Sequence, residues 1–296
     1  MTTLLRDLLR SAANRLIEVH GADDLDEAHL EVELLYGRAA SLDRVHVLAA
    51  GGAPPDPEAT APFETLLQRR LAHEPLSYIL GEREFYGLTF QVGDGALVPR
   101  PETETLVEAG LAAIRDHPRS RRLVRVADIG TGSGIVALSV ARHAPSAKMF
   151  AVDASTAALQ WAGKNRRRLG PIERVVLLTG DLLEPLSEPL DVVLANLPYV
   201  PTEEYETLPD EIRAHEPELA VDGGGDGLDI YRRFAEQLPA HLVDDTYAVL
   251  VEIGAGQAPF AEDIILDALG RPANAEVRMH RDLRDIRRVV EVRVGY

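Results

Sequence analysis

The sequence contains no cysteine. Disulfides, thiolate-ligated metals and cysteine nucleophiles are thereby excluded, and the composition fits a reducing compartment, so a cytoplasmic location is expected. Lysine is nearly absent: Lys148 and Lys164 are the only two in 296 residues, and arginine carries the rest of the positive charge. Positive charge as a whole is scarce, with 31 Lys and Arg against 48 Asp and Glu and a formal net charge of −17. A broad grip on nucleic-acid phosphates needs clustered cations, so stable nucleic-acid binding is not expected. The run Arg166-Arg167-Arg168 reads as a solvated helix end. No apolar run approaches the ~18 residues that suggest a membrane span, so none is expected. The opening Met1–Asp7 leads into no long apolar segment with a small-residue cleavage site, so no signal peptide is expected either.

Metal chemistry also lacks a signature. The nine histidines include no H-x-x-x-H pair or comparable cluster, and no metal is expected. Ser133 lies in Gly-Thr-Gly-Ser-Gly-Ile, which does not match a G-x-S-x-G nucleophile elbow.

What is present divides the chain. An apolar content of 46% over this length suits one large domain plus a small one. Residues 1–74 read as a helical bundle: Leu5, Leu8, Leu9, Ala12, Leu16 and Val19 share one face, and Ala28, Val32 and Leu35 another. Gly51-Gly52-Ala53-Pro54-Pro55 breaks the pattern before a further helix, Pro57 to His73. This segment carries seven basic and thirteen acidic side chains, which favours a protein-docking role over a nucleic-acid clamp. Residues 75–100 read as a linker with a β-hairpin: Glu84 to Val92 alternates, Gly93-Asp94-Gly95 forms the turn and Ala96-Leu97-Val98 returns. Residues 101–296 begin with a helix to about His117. Strands then alternate with helices at Leu123–Ile129, Lys148–Asp153, Val175–Thr179, Leu190–Ala195 and Thr246–Ile253. Ala275–His280 and Val289–Val294 leave no room for a long crossover and are expected to pair antiparallel. The architecture expected is α/β, a parallel sheet with helices on both faces.

Three strand ends and one loop carry the chemistry. Asp128-Ile129-Gly130-Thr131-Gly132-Ser133-Gly134 joins the first strand of this region to a helix, where glycines let a ligand approach the backbone. Ile135 stands where a dinucleotide fingerprint wants glycine, which argues against NAD or FAD and suits a cofactor with an amino-acid end. Asp153 ends the next strand, where a carboxylate can accept both hydroxyls of a ribose; the bland alternative is a helix cap before Ser155-Thr156. Asp181 follows Gly180 and can accept an adenine amino group with Leu182 packing on the ring, although a plain turn aspartate reads nearly as well. Finally, Leu190-Asp-Val-Val-Leu-Ala-Asn-Leu-Pro-Tyr-Val200 is a buried strand stopped by proline. It holds Asn196 at a strand end, with a carboxamide that can grip a planar –NH2 while Tyr199 stacks on its face.

Together these strand ends resemble class I S-adenosylmethionine-dependent methyltransferases over roughly residues 123–296. The flanks narrow the resemblance. Pro75-Leu-Ser-Tyr-Ile-Leu-Gly81, Glu84-Phe-Tyr-Gly-Leu88, Val98-Pro-Arg-Pro-Glu-Thr-Glu104, His215-Glu-Pro217 and Asp222-Gly-Gly-Gly-Asp-Gly-Leu228 resemble, in order, the release factor glutamine methyltransferases (PrmC/HemK family). The resemblance implies a Rossmann-like seven-stranded sheet and S-adenosyl-L-methionine as cofactor. It implies methyl transfer to the side-chain amide nitrogen of the glutamine in the Gly-Gly-Gln motif of class 1 peptide chain release factors, the protein partners. The implied cofactor residues are Asp128, Gly130, Thr131, Gly132, Ser133, Gly134, Asp153, Asp181, Leu182 and Asn196, and the implied catalytic motif is Asn196, Leu197, Pro198 and Tyr199. That motif is normally Asn-Pro-Pro-Tyr; Leu197 replaces its first proline but keeps the backbone carbonyl the family uses there. Asn-Leu-Pro-Tyr also resembles the rRNA adenine N6-dimethyltransferase motif, so a nucleic-acid amino-methyltransferase is the alternative, and a non-catalytic binding protein a third reading. The acidic stretch Glu203, Glu204, Glu206, Asp210 and Glu211 reads as a solvated segment or a receiver for a basic protein substrate.

Overall fold

The computed structural model describes residues 3–20, 25–170 and 173–296. Within the helical region expected over 1–74, residues 1–2 and 21–24 lie outside the described residues, as does the start of the N-terminal stretch read for a signal peptide. The chain divides into two compact units: Met1–Gly81 with Asp210–His215, and Glu82–Pro209 with Glu216–Tyr296.

In the first unit, α1 (Leu5–His20), α2 (Leu25–Ala40), α3 (Arg44–Ala49), α4 (Pro57–Leu71) and α5 (Leu76–Leu80) surround one apolar core. The stripe read from the sequence is the stripe that is buried: Leu5, Leu9, Ala12 and Leu16 meet Val32, Leu35, Tyr36, Phe63 and Leu67. The exception is Val19, which is exposed. Each helix start has its own cause. Asp43 accepts from the His46 N–H, and Asp56 accepts from the Glu58 N–H with Pro57 in the first turn. Ile79 on α5 joins this core, so the helical unit runs to Gly81. Arg70, nearly buried, donates to Glu31 and to Glu211 at 2.8 and 2.9 Å, which fastens the later segment Asp210–His215 to this unit. Glu211 is thus an ion-pair partner rather than part of a purely solvated acidic stretch.

The second unit opens with a hairpin, β1 (Glu82–Phe85) and β2 (Leu88–Gln91). Its turn is Tyr86-Gly87, not the expected Gly93-Asp94-Gly95, and Ala96-Leu97-Val98 is no return strand. Tyr86 and Gly87 both adopt positive φ, 50° and 68°, the pair of left-handed residues that a two-residue hairpin turn requires. Residues 93–98 instead form a loop along the cleft described below.

After α6 (Glu104–Asp116) come β3 (Val124–Ile129), α7 (Ile135–His143), β4 (Ala147–Asp153), α8 (Thr156–Arg168), β5 (Val175–Thr179) and β6 (Val192–Ala195). Two short helices, α9 (Thr202–Tyr205) and α10 (Asp210–Arg213), precede α11 (Asp229–His241), β7 (Tyr247–Glu252), α12 (Ala258–Ala268), β8 (Ala275–Arg281) and β9 (Arg287–Val294). The sheet has seven strands in the order β5-β4-β3-β6-β7-β9-β8. β3 to β7 pair in parallel, while β9 runs antiparallel between β7 and β8. The parallel strands are apolar because both faces are covered; β6 and β7 are buried along their whole length. α12 has no counterpart in the sequence reading. The order reverses between β3 and β6, and an open α/β sheet binds ligands beyond the strand ends at such a point.

Candidate active site

The loop after β3 is held open from beneath. Gly130, Gly132 and Gly134 all take positive φ, and at Gly130 the reason is a close approach: a Cβ there would stand 2.9 Å from the Asn196 backbone carbonyl oxygen. At Gly132 a Cβ would meet no protein atom within 4 Å, because it would project into the cleft that this residue lines. Asp128 does not face that cleft. It is buried, and its Oδ2 accepts from the Thr131 hydroxyl at 2.6 Å and from the Ala137 N–H at 3.0 Å. Its Oδ1 has no partner, and burial pushes its pKa up to about 6. Asp128 therefore braces the turn and the start of α7. Gly134 is likewise internal, packed on Leu138 and Ala162. Thr131 and Ser133 line a smaller recess with Thr103, Arg100 and Asn196.

Gly130, Gly132, Asp153, Asp181, Leu182, Asn196, Leu197 and Pro198 line one cleft. Asp153 ends β4 and reaches over the glycine turn: Oδ2 accepts from the Gly132 N–H and Oδ1 from the Ser155 N–H, each at 2.8 Å. Burial raises its pKa against these two hydrogen bonds. The cap of α8 is Ser155 itself, whose side chain accepts from Ala158, so the carboxylate of Asp153 is not consumed as the helix cap. Asp181 is paired with Arg233 of α11, which also lines the cleft. The sequence reading did not single out Arg233. Leu182 is buried with φ 53°, which turns its side chain into the cleft wall.

Asn196 follows β6 and is half-buried. Its Nδ2 donates to the Thr103 hydroxyl at 3.2 Å. Thr103 in turn lies beside the carboxylate of Glu252, the last residue of β7, and favours its charged form. Glu252 is 1% exposed, its Oε2 has no partner, and burial pushes its pKa up to about 7. The Leu197 carbonyl faces the Tyr231 hydroxyl at 3.2 Å, and the same hydroxyl lies against the Glu252 carbonyl. Tyr231 has a single proton for two carbonyls, so one of them keeps its lone pairs. Tyr199 is largely buried, and burial beside Glu252 pushes its phenol up to about 12, so the ring stays neutral. Thr103, Tyr231 and Glu252 were not visible as functional from sequence; the one signal was a carboxylate closing the otherwise apolar run Tyr247–Val251.

The distant motifs converge on this loop. Glu216 receives Arg100 and the Val98 N–H, tying His215-Glu-Pro217 to Val98–Glu104. Asp222–Leu228 lies under the motif's backbone: a Cβ at Gly223 would stand 2.7 Å from the Pro198 carbonyl oxygen, and one at Gly227 2.2 Å from that of Tyr199. Gln257 donates to the Tyr199 carbonyl at 2.9 Å. Among the described residues, no group of three or more His, Asp or Glu could hold a metal ion, and no helix is long and apolar enough to cross a membrane.

Comparison with known proteins agrees with this geometry. The sequence matches the family described as "PrmC N-terminal domain" over residues 7–81 and "Methyltransferase small domain" over 107–224. It is 38% identical to a release factor glutamine methyltransferase of Geobacter sulfurreducens over 272 residues, covering 92% of this chain and 91% of that protein. The chain belongs to the release factor glutamine methyltransferase family. A second member, from Moorella thermoacetica, is 41% identical over 92% of this chain and 93% of its own length. The fold is that of class I methyltransferases: a methyltransferase from Pyrococcus furiosus superposes with a TM-score of 0.50 at 17% identity, covering 71% of this chain and 90% of that one. Leu197 is accommodated by packing: its side chain is 3% exposed, and its Cδ2 lies over Gly130, 3.3 Å from where a Cβ would stand.

Proposed function

We propose that this protein transfers a methyl group from S-adenosyl-L-methionine to the side-chain amide nitrogen of the glutamine in the Gly-Gly-Gln motif of class 1 peptide chain release factors. The observation that carries the reading is the Asn196 carboxamide, held by Thr103 at the point where the glycine turn touches the loop after β6. The donor set fits the cofactor. The glycine turn offers open space, Asp153 a carboxylate for a ribose, Asp181 an acceptor for an adenine amino group, and Leu182 an apolar wall. Asp128 and Gly134 serve the same cofactor from behind, by shaping the turn.

S-adenosylmethionine, when bound, supplies a methyl group already activated by its sulfonium. The chain's own task is then placement, because an amide nitrogen is a weak nucleophile whose lone pair is delocalised into its carbonyl. The Asn196 Oδ1 and the Leu197 carbonyl accept the two amide hydrogens, which fixes the nitrogen's orientation and stabilises the positive charge that grows on it. Tyr199, neutral and packed, lies beside the glutamine side chain. The extra proton leaves after transfer, so no strong base is required beforehand. The helical unit docks the release factor, consistent with its acidic balance, and the reaction takes place in the cytoplasm, where release factors act.

The test offers tritiated methyl donor with purified release factor, a release factor with its motif glutamine changed to alanine, and rRNA, side by side. Label on the first alone is expected. Label on rRNA and not on protein would replace this reading with a nucleic-acid amino-methyltransferase.

A further inference from the structure

We infer that Thr103 and Glu252 form a positioning clamp that locks the Asn196 carboxamide with its oxygen toward the substrate, so that the site selects an –NH2 rather than a carbonyl. The inference rests on the functional reading above and deepens it. A carboxamide is nearly symmetric in shape: turned by 180°, Asn196 would present two donors to the cleft and reject the group it must receive. Something has to break that symmetry.

The Asn196–Thr103 bond and the buried carboxylate behind it do so by exclusion. An ionised carboxylate only accepts. With that carboxylate beside it, the Thr103 hydroxyl directs its single proton toward Glu252 and its lone pairs toward Asn196. Only the Nδ2 side of Asn196 can satisfy them, and the Nδ2–Oγ1 distance of 3.2 Å is that bond. Oδ1 is thereby directed away from Thr103. Thr103 and Glu252 are each 1% exposed, so no water competes for these positions. Glu252 is an expensive residue to bury, with Oε2 unpartnered, and packing alone gives no reason for a carboxylate there.

A protonated Glu252 would lift the constraint. It could donate to Thr103, whose hydroxyl could then donate to Asn196 and tolerate the turned amide. Glu252 is pushed up to about 7 by burial, opposed by the Thr103 hydroxyl and by Arg288 of β9, and reinforced by Glu102 ahead of α6. The Tyr199 and Tyr231 phenols also face it; both are raised and stay neutral. The clamp is thus set above neutrality and released below it.

The experiment compares Thr103→Val, Thr103→Ser, Glu252→Gln and Asn196→Ala in the full-length protein, with release factor as substrate and cofactor affinity measured by calorimetry. Thr103→Val should lower kcat 10- to 100-fold with cofactor Kd changed less than threefold, and Thr103→Ser should restore kcat to within about threefold of the parent. In the parent, kcat should rise with pH through a group near 7, and Glu252→Gln should abolish that limb. Selective 15N labelling of the four asparagines (Asn14, Asn165, Asn196, Asn274) gives a readout independent of turnover. Thr103→Val should speed hydrogen exchange at the Asn196 side-chain amide at least tenfold, and leave Asn165, which donates to Gln91 and Ser133 carbonyls, unchanged. If Thr103→Val does not fold, Glu252→Gln carries the test through its pH profile. Parental kcat and pH limb in Glu252→Gln, or parental exchange at Asn196 in folded Thr103→Val, overturns the clamp. Should those occur while Asn196→Ala is inactive, only the clamp falls; an active Asn196→Ala sinks the site assignment beneath it.

Discussion

A Cβ on Gly130 would lie 2.9 Å from the backbone carbonyl oxygen of Asn196, so the glycine turn after β3 and the loop after β6 share one contact surface. Gly130 also holds φ at 73°, where a side chain is strained whatever the space. Gly130→Ala is expected to destabilise the protein by roughly 1–3 kcal/mol, because a backbone carbonyl cannot move aside as a side chain can. Displacing Asn196 should also lower kcat more than tenfold. Thermal melts and methyl-transfer rates check both; a variant with parental kcat would mean the contact is not what sets the loop. Gly132→Ala makes a contrasting case. At φ 57° it carries a similar backbone strain, but its added Cβ meets no protein atom, so beyond that strain its effect should fall on cofactor affinity.

Much of this arrangement is written in the chain, and the parts that are not share a physical reason. The strand ends at Asp153, Asp181 and Asn196 follow from apolar runs stopped by turn residues, a local signal. Which of two strand-end carboxylates faces the ligand is not local. Asp128 and Asp153 look alike in sequence, and only the packing of α7 shows that Asp128 is spent on Thr131 and Ala137. The hairpin turn was misplaced because Tyr86, an aromatic residue at φ 50°, does what Gly93-Asp94-Gly95 advertises. α12 escaped notice since Gly254, Gly256 and Pro259 crowd its start. The Asn196–Thr103 bond joins residues 93 positions apart, and nothing in either neighbourhood announces the other.

Arg233 and Asp181 form an exposed ion pair at the cleft. Such a pair contributes about 0–1 kcal/mol to stability, so Arg233→Ala should leave the melting temperature nearly unchanged. Its effect should appear in binding, because an unpaired Asp181 is free to rotate away from the position an adenine amino group requires. Cofactor Kd should weaken several-fold for Arg233→Ala and further for Asp181→Ala. Equal stability with equal Kd would remove Asp181 from the proposed adenine contact.

Tyr231→Phe tests the other carbonyl. The hydroxyl lies between Leu197 and Glu252 carbonyls in a buried place, and its loss removes the one proton the two carbonyls share. That costs about 1–3 kcal/mol. Because Phe keeps the ring's packing, the destabilisation should be visible in denaturant midpoint without a change in m-value. A looser Leu197 carbonyl should also raise KM for release factor. A rise confined to cofactor Kd would assign Tyr231 to the wrong partner.

The buried carboxylates set opposing pH trends for stability and activity. Burial raises Glu252 from 4.5 to about 7 and Asp128 from 3.8 to about 6. A carboxyl whose folded pKa lies above its unfolded value binds its proton more tightly in the folded state. It therefore contributes stability that is fully present below the unfolded pKa and is lost as pH rises through the folded one. Stability should thus fall between about pH 4 and pH 8, by on the order of 3 kcal/mol for Glu252 if its shift of between two and three units is fully expressed. Glu252→Gln cannot ionise, so it should melt higher than the parent at pH 8 and lose most of the advantage at pH 5. At the same pH 8 the clamp predicts that it turns over more slowly. A variant both more stable and less active would show why the chain retains a charge there that its fold alone would discard. A Glu252→Gln protein that melts lower than the parent at pH 8 would instead mean the carboxylate is net stabilising, and the buried-charge account would have to be given up.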